Sequence, residues 1–194
     1  MSPRRTETRQ RAIEVALELF AVQGYDKTSL REIADRLGIT KAALYYHFAS
    51  KEALLGAIME SLVEPIDELV AWSESQPRTS ETQREVLRRL TALLGGQWST
   101  WLRFAQENQP ALREHREVGQ QMQERIVRVL GTVIDPQADL HEQLRGLLAV
   151  LAVYVGNLAP AAGMLETLGI EASRQDVATV ALEVALELVG GRET

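Results

Sequence analysis

The chain of 194 residues contains no cysteine, which excludes a disulfide, a thiolate metal site and a thiol nucleophile. Its net charge of −6 would disfavour a polyanionic partner if it were spread evenly. It is not, because residues 1 to 51 hold 9 Lys and Arg against 6 Asp and Glu, while the remainder holds 12 against 21. A basic head on an acidic body suits a nucleic acid at one end, since phosphate attraction follows the local field and not the total.

Residues 1 to 5 form a basic arm, expected to be disordered, and Thr6 or Thr8 is expected to open a first helix. In it Ile13, Ala16, Leu17 and Phe20 recur at helical spacing, and Gly24 ends it. The stretch from Thr28 to Phe48 then reads as two short helices. Leu30, Ile33, Ala34 and Leu37 make one apolar face, and Ser29 with Glu32 fits a capping box. Gly38 supplies the left-handed stop, and Thr40 caps the second helix, where Leu44 and Phe48 pack inward. The other surfaces of that helix carry Lys41, Ala42, Ala43, Tyr45, Tyr46 and His47. Small residues at its start allow close approach to a groove, and the donors and aromatics beyond them can reach phosphates and bases. A hairpin serving only as core needs none of these.

Ser50 is an N-cap for a fourth helix carrying Leu54, Leu55, Ile58, Met59 and Leu62. Lys51 at its first turn opposes the helix dipole, a placement that a phosphate would compensate. Pro65 is expected to kink or end this helix near Val63 or Glu64, with a possible hinge role. A polar loop, SESQPRTSE, follows Trp72. Ser80 and Gln83 should open the next helix, and Gly95-Gly96 should break it. An aromatic-rich helix ending near Pro110 and another from about Leu112 to Ile134 come next, the latter stopped by Asp135-Pro136.

Two apolar helices close the chain. One carries Leu144, Leu147, Leu148, Leu151 and Val155; the other, behind a Ser173 to Asp176 capping signal, carries Val177, Val180, Ala181, Val184 and Leu188. Both are too apolar for a solvent-facing monomer surface, and Ala178, Ala181 and Ala185 allow close approach, so they point to a homodimer through a four-helix interface. The uncharged run from 146 to 165 is long enough to span a bilayer, but Asn157, Pro160 and three glycines interrupt it, and a buried association helix accounts for it without a membrane. The Arg-rich start, with Glu14 and Glu18 in the segment after it, offers no secretory signal, and a cytoplasmic protein is expected.

No phosphate-binding glycine loop, dinucleotide fingerprint, nucleophile elbow or zinc-protease motif occurs. His47, His115 and His141 lie far apart without spaced ligands. Neither an enzyme, nor a metal site, nor a cofactor is expected.

The head and its flanks, RRTETRQRAIEVALELFAVQGYDKTSLREIA before and ALYYHFASKEALLGAI after, resemble the DNA-binding head of the TetR family of bacterial transcriptional regulators. The resemblance covers Arg5 to about Pro65, a third of the chain, and the rest is similar only in being helical. It implies an all-α protein of about nine helices: a three-helix head over 5–50, extending in the family sense to about 65 with the helix-turn-helix at 28–48, and a ligand-binding and dimerisation bundle over 51–194. It further implies a dimeric repressor that binds a palindromic operator and leaves it when a small molecule enters the bundle. The alternative is a constitutive DNA-binding regulator or scaffold with no inducer.

By the same resemblance Arg31 and Lys41 read base edges, Tyr45 touches bases or backbone, and Thr28, Ser29, Thr40, Tyr46, His47 and Lys51 clamp phosphates. Two of these have simpler readings: Arg31 as an i, i+4 partner of Asp35, and His47 as a helix C-terminal cap. Ala42 departs from the glycine frequent there in the family. For an inducer pocket the candidates are Trp98, Trp101, Leu102, Phe104, Met122 and Tyr154, with Asn157 as a polar handle, and their character suits a largely apolar ligand.

Overall fold

The computed structural model describes residues 3–108, 116–157, 163 and 165–190, and among them it is helical with no strand. The helices are α1 (Pro3–Gln23), α2 (Leu30–Leu37), α3 (Lys41–His47), α4 (Lys51–Ser75), α5 (Ser80–Gly95), α6 (Gln97–Glu107), α7 (Arg116–Val133), α8 (Leu140–Gly156) and α9 (Arg174–Val189). They fall into two compact units, one of Met1–Glu64 with Thr100–Val118 and one of Pro65–Ser99 with Gly119–Thr194.

The first unit is built on apolar faces that helical spacing places together. Ile13, Ala16 and Phe20 of α1, Ile33 and Ala34 of α2, Leu44 of α3 and Leu54, Leu55 and Ile58 of α4 are all buried. Removing one such large side chain from water contributes about 1.5–3 kcal/mol, so this stripe pattern is what holds the short helices in place. Phe104 of α6 joins the same unit, fully buried, with its ring 5.9 Å from Phe20 and 5.2 Å from Trp101. The chain enters α1 at Pro3, within the stretch expected to be a disordered arm; proline suits a first helical position because its missing N–H would have had no partner there.

The helix boundaries of the head follow local chemistry. Ser29 Oγ accepts from the N–H of Glu32 at the start of α2. The return bond expected of a capping box is replaced, because the Glu32 carboxylate accepts instead from Gln23 Nε2 at 2.9 Å. Gly38, at φ 69°, ends α2, and the N–H of Ile39 reaches back to the carbonyl of Ala34, satisfying the last turn. Thr40 accepts from Ala43 N–H to start α3. Ser50 does the same for Ala53 at α4.

Pro65 neither ends nor shortens α4, which runs to Ser75. Packing on both sides outweighs the local cost, since Leu62, Ile66, Leu69 and Val70 are buried around it. The expected stop is therefore wrong, and the proline instead marks the boundary between the two units. The next cap is also displaced by one residue: Thr79, not Ser80, accepts from the N–H of Thr82.

In the second unit, α7 is tied to the C-terminal half of α4 by two forked ion pairs. Arg125 meets Asp67 at 2.6 and 3.1 Å, and Arg128 meets Glu74 at 2.9 and 2.6 Å. These hydrogen bonds hold the Glu74 carboxyl below its usual pKa and raise both guanidiniums. Arg89 of α5 stacks over Trp72, 3.7 Å from the ring centroid. Helices α8 and α9 pack through small residues, with Ala149 and Ala185 fully buried and Gly156 against Ala181, where a Cβ on the glycine would have no room. Ala178 and Ala181 thus lie against another helix of the same chain, a different use from the subunit contact expected of them. On the opposite side Leu144, Leu147, Leu148, Leu151 and Val155 of α8 and Val180 and Val184 of α9 remain exposed. No helix among the described residues is long and apolar enough to cross a membrane.

Candidate nucleic-acid interface

Helix α3 is anchored from beneath and open above. Leu44 and Phe48 are buried, and Arg9 of α1 lies over the Phe48 ring at 5.4 Å. The outward surface carries Lys41, Ala42, Ala43, Tyr45 and Tyr46, all exposed, and His47, half-buried in the last turn. Lys41 Nζ sits 5.4 Å from the Tyr45 ring centroid, which places a cation beside an aromatic face on one side of the helix. Ser29, Arg31 and Thr40 are exposed on the flanking elements. Arg31 lies 3.9 Å from Asp35 with both side chains largely in solvent, a contact too weak to hold the guanidinium. These residues form a surface on which a cation, two phenols and two methyl-sized side chains face outward together.

Thr28 and Lys51 have partners within the head. Thr28 is only 2% exposed; its Oγ1 donates to the carbonyl of Gly24 at 2.9 Å and accepts from Gln23 Nε2 at 3.1 Å. That hydroxyl is enclosed, with its donor and an acceptor site both used within the head. Lys51 turns its Nζ to the carbonyls of Tyr25 and Thr28, at 2.9 and 3.2 Å, over the face of the Tyr25 ring. The carbonyls supply the negative partners that a cation at a helix N-terminus needs, so its placement is explained without a phosphate. Glu52 completes the arrangement: the Ser50 side chain first, then its own backbone N–H and the Tyr25 hydroxyl, hold its carboxyl below the usual value.

The turn between α1 and α2 is therefore fixed by side chains that sequence reasoning passed over. Gln23 bridges Thr28 and Glu32, and Asn108 at the end of α6 accepts from the Tyr25 N–H at 2.9 Å. For Lys51 a signal existed in its unfavourable position at the start of α4; for Asn108, 83 residues from its partner, there was none.

Of the residues considered for an inducer pocket, Trp98, Trp101, Leu102 and Phe104 all lie on α6, with the Trp101 and Phe104 rings 5.2 Å apart. Trp98 is buried in the second unit, and its Nε1 has no hydrogen-bond partner among the described residues. Trp101, Leu102 and Phe104 belong to the first, where Phe104 is core. Tyr154 lies exposed on α8, and Asn157 gives its Nδ2 to the carbonyl of Val153. The side chain of Met122 lies outside the described residues, as does His115. Among the described residues no group of three or more His, Cys, Asp and Glu could hold a metal ion.

Residues 12–58 match the family described as bacterial regulatory proteins, tetR family. The head is a TetR-family domain. Over 63 residues the chain is 48% identical to the HTH-type transcriptional regulator AcrR of Shigella flexneri, covering 32% of this chain and 29% of that protein. Among the first curated relatives the matched stretch spans 29% to 46% of their own lengths, so the chain spans less than half the length of these relatives. Likeness in fold extends further. A transcriptional regulator from Aquifex aeolicus superposes with a TM-score of 0.61 at 19% identity, over 94% of this chain and 99% of that one. The complex of SmeT with triclosan superposes with a TM-score of 0.60 at 19% identity, over 93% and 90%. At such identities these neighbours establish a TetR-type fold for the chain and nothing of its ligand.

Proposed function

We propose that the protein is a dimeric, ligand-responsive transcriptional repressor that reads a palindromic operator with α3 and leaves it when a small, largely apolar molecule binds the C-terminal helices. The observation that carries the DNA reading is the two-sided character of α3. Its buried side fixes the helix, while Lys41, Ala42, Ala43, Tyr45 and Tyr46 stay open to a major groove. Ser29, Arg31, Thr40 and His47 flank that surface and complete the contact set.

Dimerisation rests on the exposed apolar stripe of α8 and α9. Leu148 and Val180 are 52% and 54% exposed, and a second copy of the same stripe would cover them. Two heads in one dimer then sit about one helical turn of DNA, ~34 Å, apart. Release by ligand requires only that the ligand favour a dimer whose heads have another spacing, and its effect is limited by its differential affinity for the two states. The triclosan bound by SmeT, a protein of the same fold, supports an apolar ligand.

The test is selection of duplex DNA from a random pool by the full-length chain, followed by gel-shift titration of the recovered duplex. A recovered inverted repeat bound by a dimer, and lost on Tyr45→Ala, supports the reading. Recovery of no preferred sequence overturns it. For the ligand, triclosan and related apolar aromatics are titrated against the complex, and a regulator that stays bound throughout is constitutive.

A further inference from the structure

Asn108 stands where α6 ends, and its polar atoms are used in opposite directions. Its backbone N–H and its Nδ2 both donate to the carbonyl of Phe104, at 2.9 and 3.0 Å, which pins the side chain onto its own helix. Oδ1 is left to accept from the N–H of Tyr25 at 2.9 Å. That contact falls just after Gly24, whose φ of 92° reverses the chain, and a Cβ there would lie 3.6 Å from the same oxygen. Tyr25 carries the constraint onward, since its carbonyl accepts from the N–H of Thr28 at 3.1 Å and from Lys51 Nζ. Thr28 precedes Ser29, the N-cap of α2. Beneath the same contact, Phe104 is buried against Phe20 at the end of α1.

We infer that Asn108 is a positioning residue for the DNA-reading element: by accepting the Tyr25 amide it fixes the turn that sets the start of α2, so the head is complete only with the last turn of α6 in place. The physical reason is that a turn between two helices has few bonds of its own, and here the side chains of Asn108 and Lys51, from two other helices, supply them. Losing the acceptor frees one backbone donor and lets the turn open without dismantling the apolar core. This role rests on α3 being the reading helix.

The experiment uses the full-length chain and the duplex it recovers from a random pool. Asn108→Leu keeps the volume and removes the acceptor; Asn108→Asp keeps an acceptor and removes the donor; Asn108→Ala serves if the leucine variant does not fold. Amide hydrogen exchange at Tyr25 and duplex affinity are measured on each. With the acceptor gone, Tyr25 should exchange at least about tenfold faster while mid-α1 amides keep their rates, and the duplex should bind about fivefold more weakly. Asn108→Asp should hold Tyr25 close to its wild-type rate, which a role limited to packing would not require. Wild-type exchange at Tyr25 in the leucine and alanine variants overturns the inference, and so does full duplex affinity alongside lost protection. A wild-type chain that recovers no duplex overturns the reading of α3 itself, a failure visible before any variant is made.

Discussion

Lys51 Nζ lies 2.9 Å from the carbonyl oxygen of Tyr25 and 4.1 Å from the centroid of the same residue's ring. The first helical residue of α4 thereby closes the turn that leads into α2, and the residue expected to meet a phosphate also has partners within the head.

The two roles of Lys51 predict different salt behaviour. Lys51→Met keeps the apolar stem and removes the donors, so it should destabilise the head by about 1–2 kcal/mol and weaken DNA binding indirectly. A lost phosphate contact also lowers the slope of log affinity against log salt by about one. Salt titrations of wild type and Lys51→Met should therefore give parallel lines; a slope reduced by one would return Lys51 to the phosphate.

On α3 the informative change is one that adds bulk without touching the core. Ala43 is exposed, so Ala43→Leu should leave the thermal midpoint nearly unchanged, surface changes costing within about 0.5 kcal/mol. If α3 enters a groove with its small residues foremost, the same change should lower duplex affinity by at least about tenfold. Unchanged affinity would place the contact elsewhere.

What was legible before the structure was whatever neighbours in sequence decide. Ser29, Gly38, Thr40, Ser50 and the Ser173 to Asp176 box are local hydrogen-bonding devices, and each stands where its spacing put it, apart from the Glu32 half of the first box. The helix end expected at Pro65 does not occur, because the local penalty is fixed while the opposing burial of Ile66, Leu69 and Val70 is tertiary. The partners of Thr28, Lys51 and Asn108 were not legible because they are set by the approach of α1, α4 and α6, which no short window contains. The alanines of α9 were legible as close-approach residues but not as to which helix would approach, and Gly156 answers that within the chain.

The exposed stripe on α8 and α9 predicts its own test. Leu148→Glu adds a charge to a residue already 52% exposed, so the isolated subunit should fold as before. In a dimer the same charge would be buried without a partner, which disfavours association strongly. Sedimentation should show the wild type as a dimer and Leu148→Glu as a monomer with unaltered helix content, and the recovered duplex should bind the variant far more weakly because one head supplies half the contacts. A wild type that is monomeric at micromolar concentration, or a variant that stays dimeric, removes this stripe as the interface.

The start of α9 should respond to acid in a defined direction. Ser173 Oγ accepts from the N–H of Asp176, and the Asp176 carboxylate accepts from the N–H of Ser173 at 3.0 Å. The Ser173 side chain first, then its backbone N–H, hold the Asp176 carboxyl below its usual 3.8. A carboxyl with a lowered native pKa stabilises the fold above its unfolded value, and that stabilisation is lost as pH falls through the native one. The difference in urea midpoint between wild type and Asp176→Ala should therefore be full at neutral pH, begin to narrow only as the pH drops to about 3.8, and be smallest at still lower pH. Amide protection in the first turn of α9, taken relative to the intrinsic exchange rate at each pH, should fall over the same range in the wild type and stay low throughout in the variant. A midpoint difference that is constant through the acid range would show that the carboxylate's charge adds nothing to the cap beyond shape.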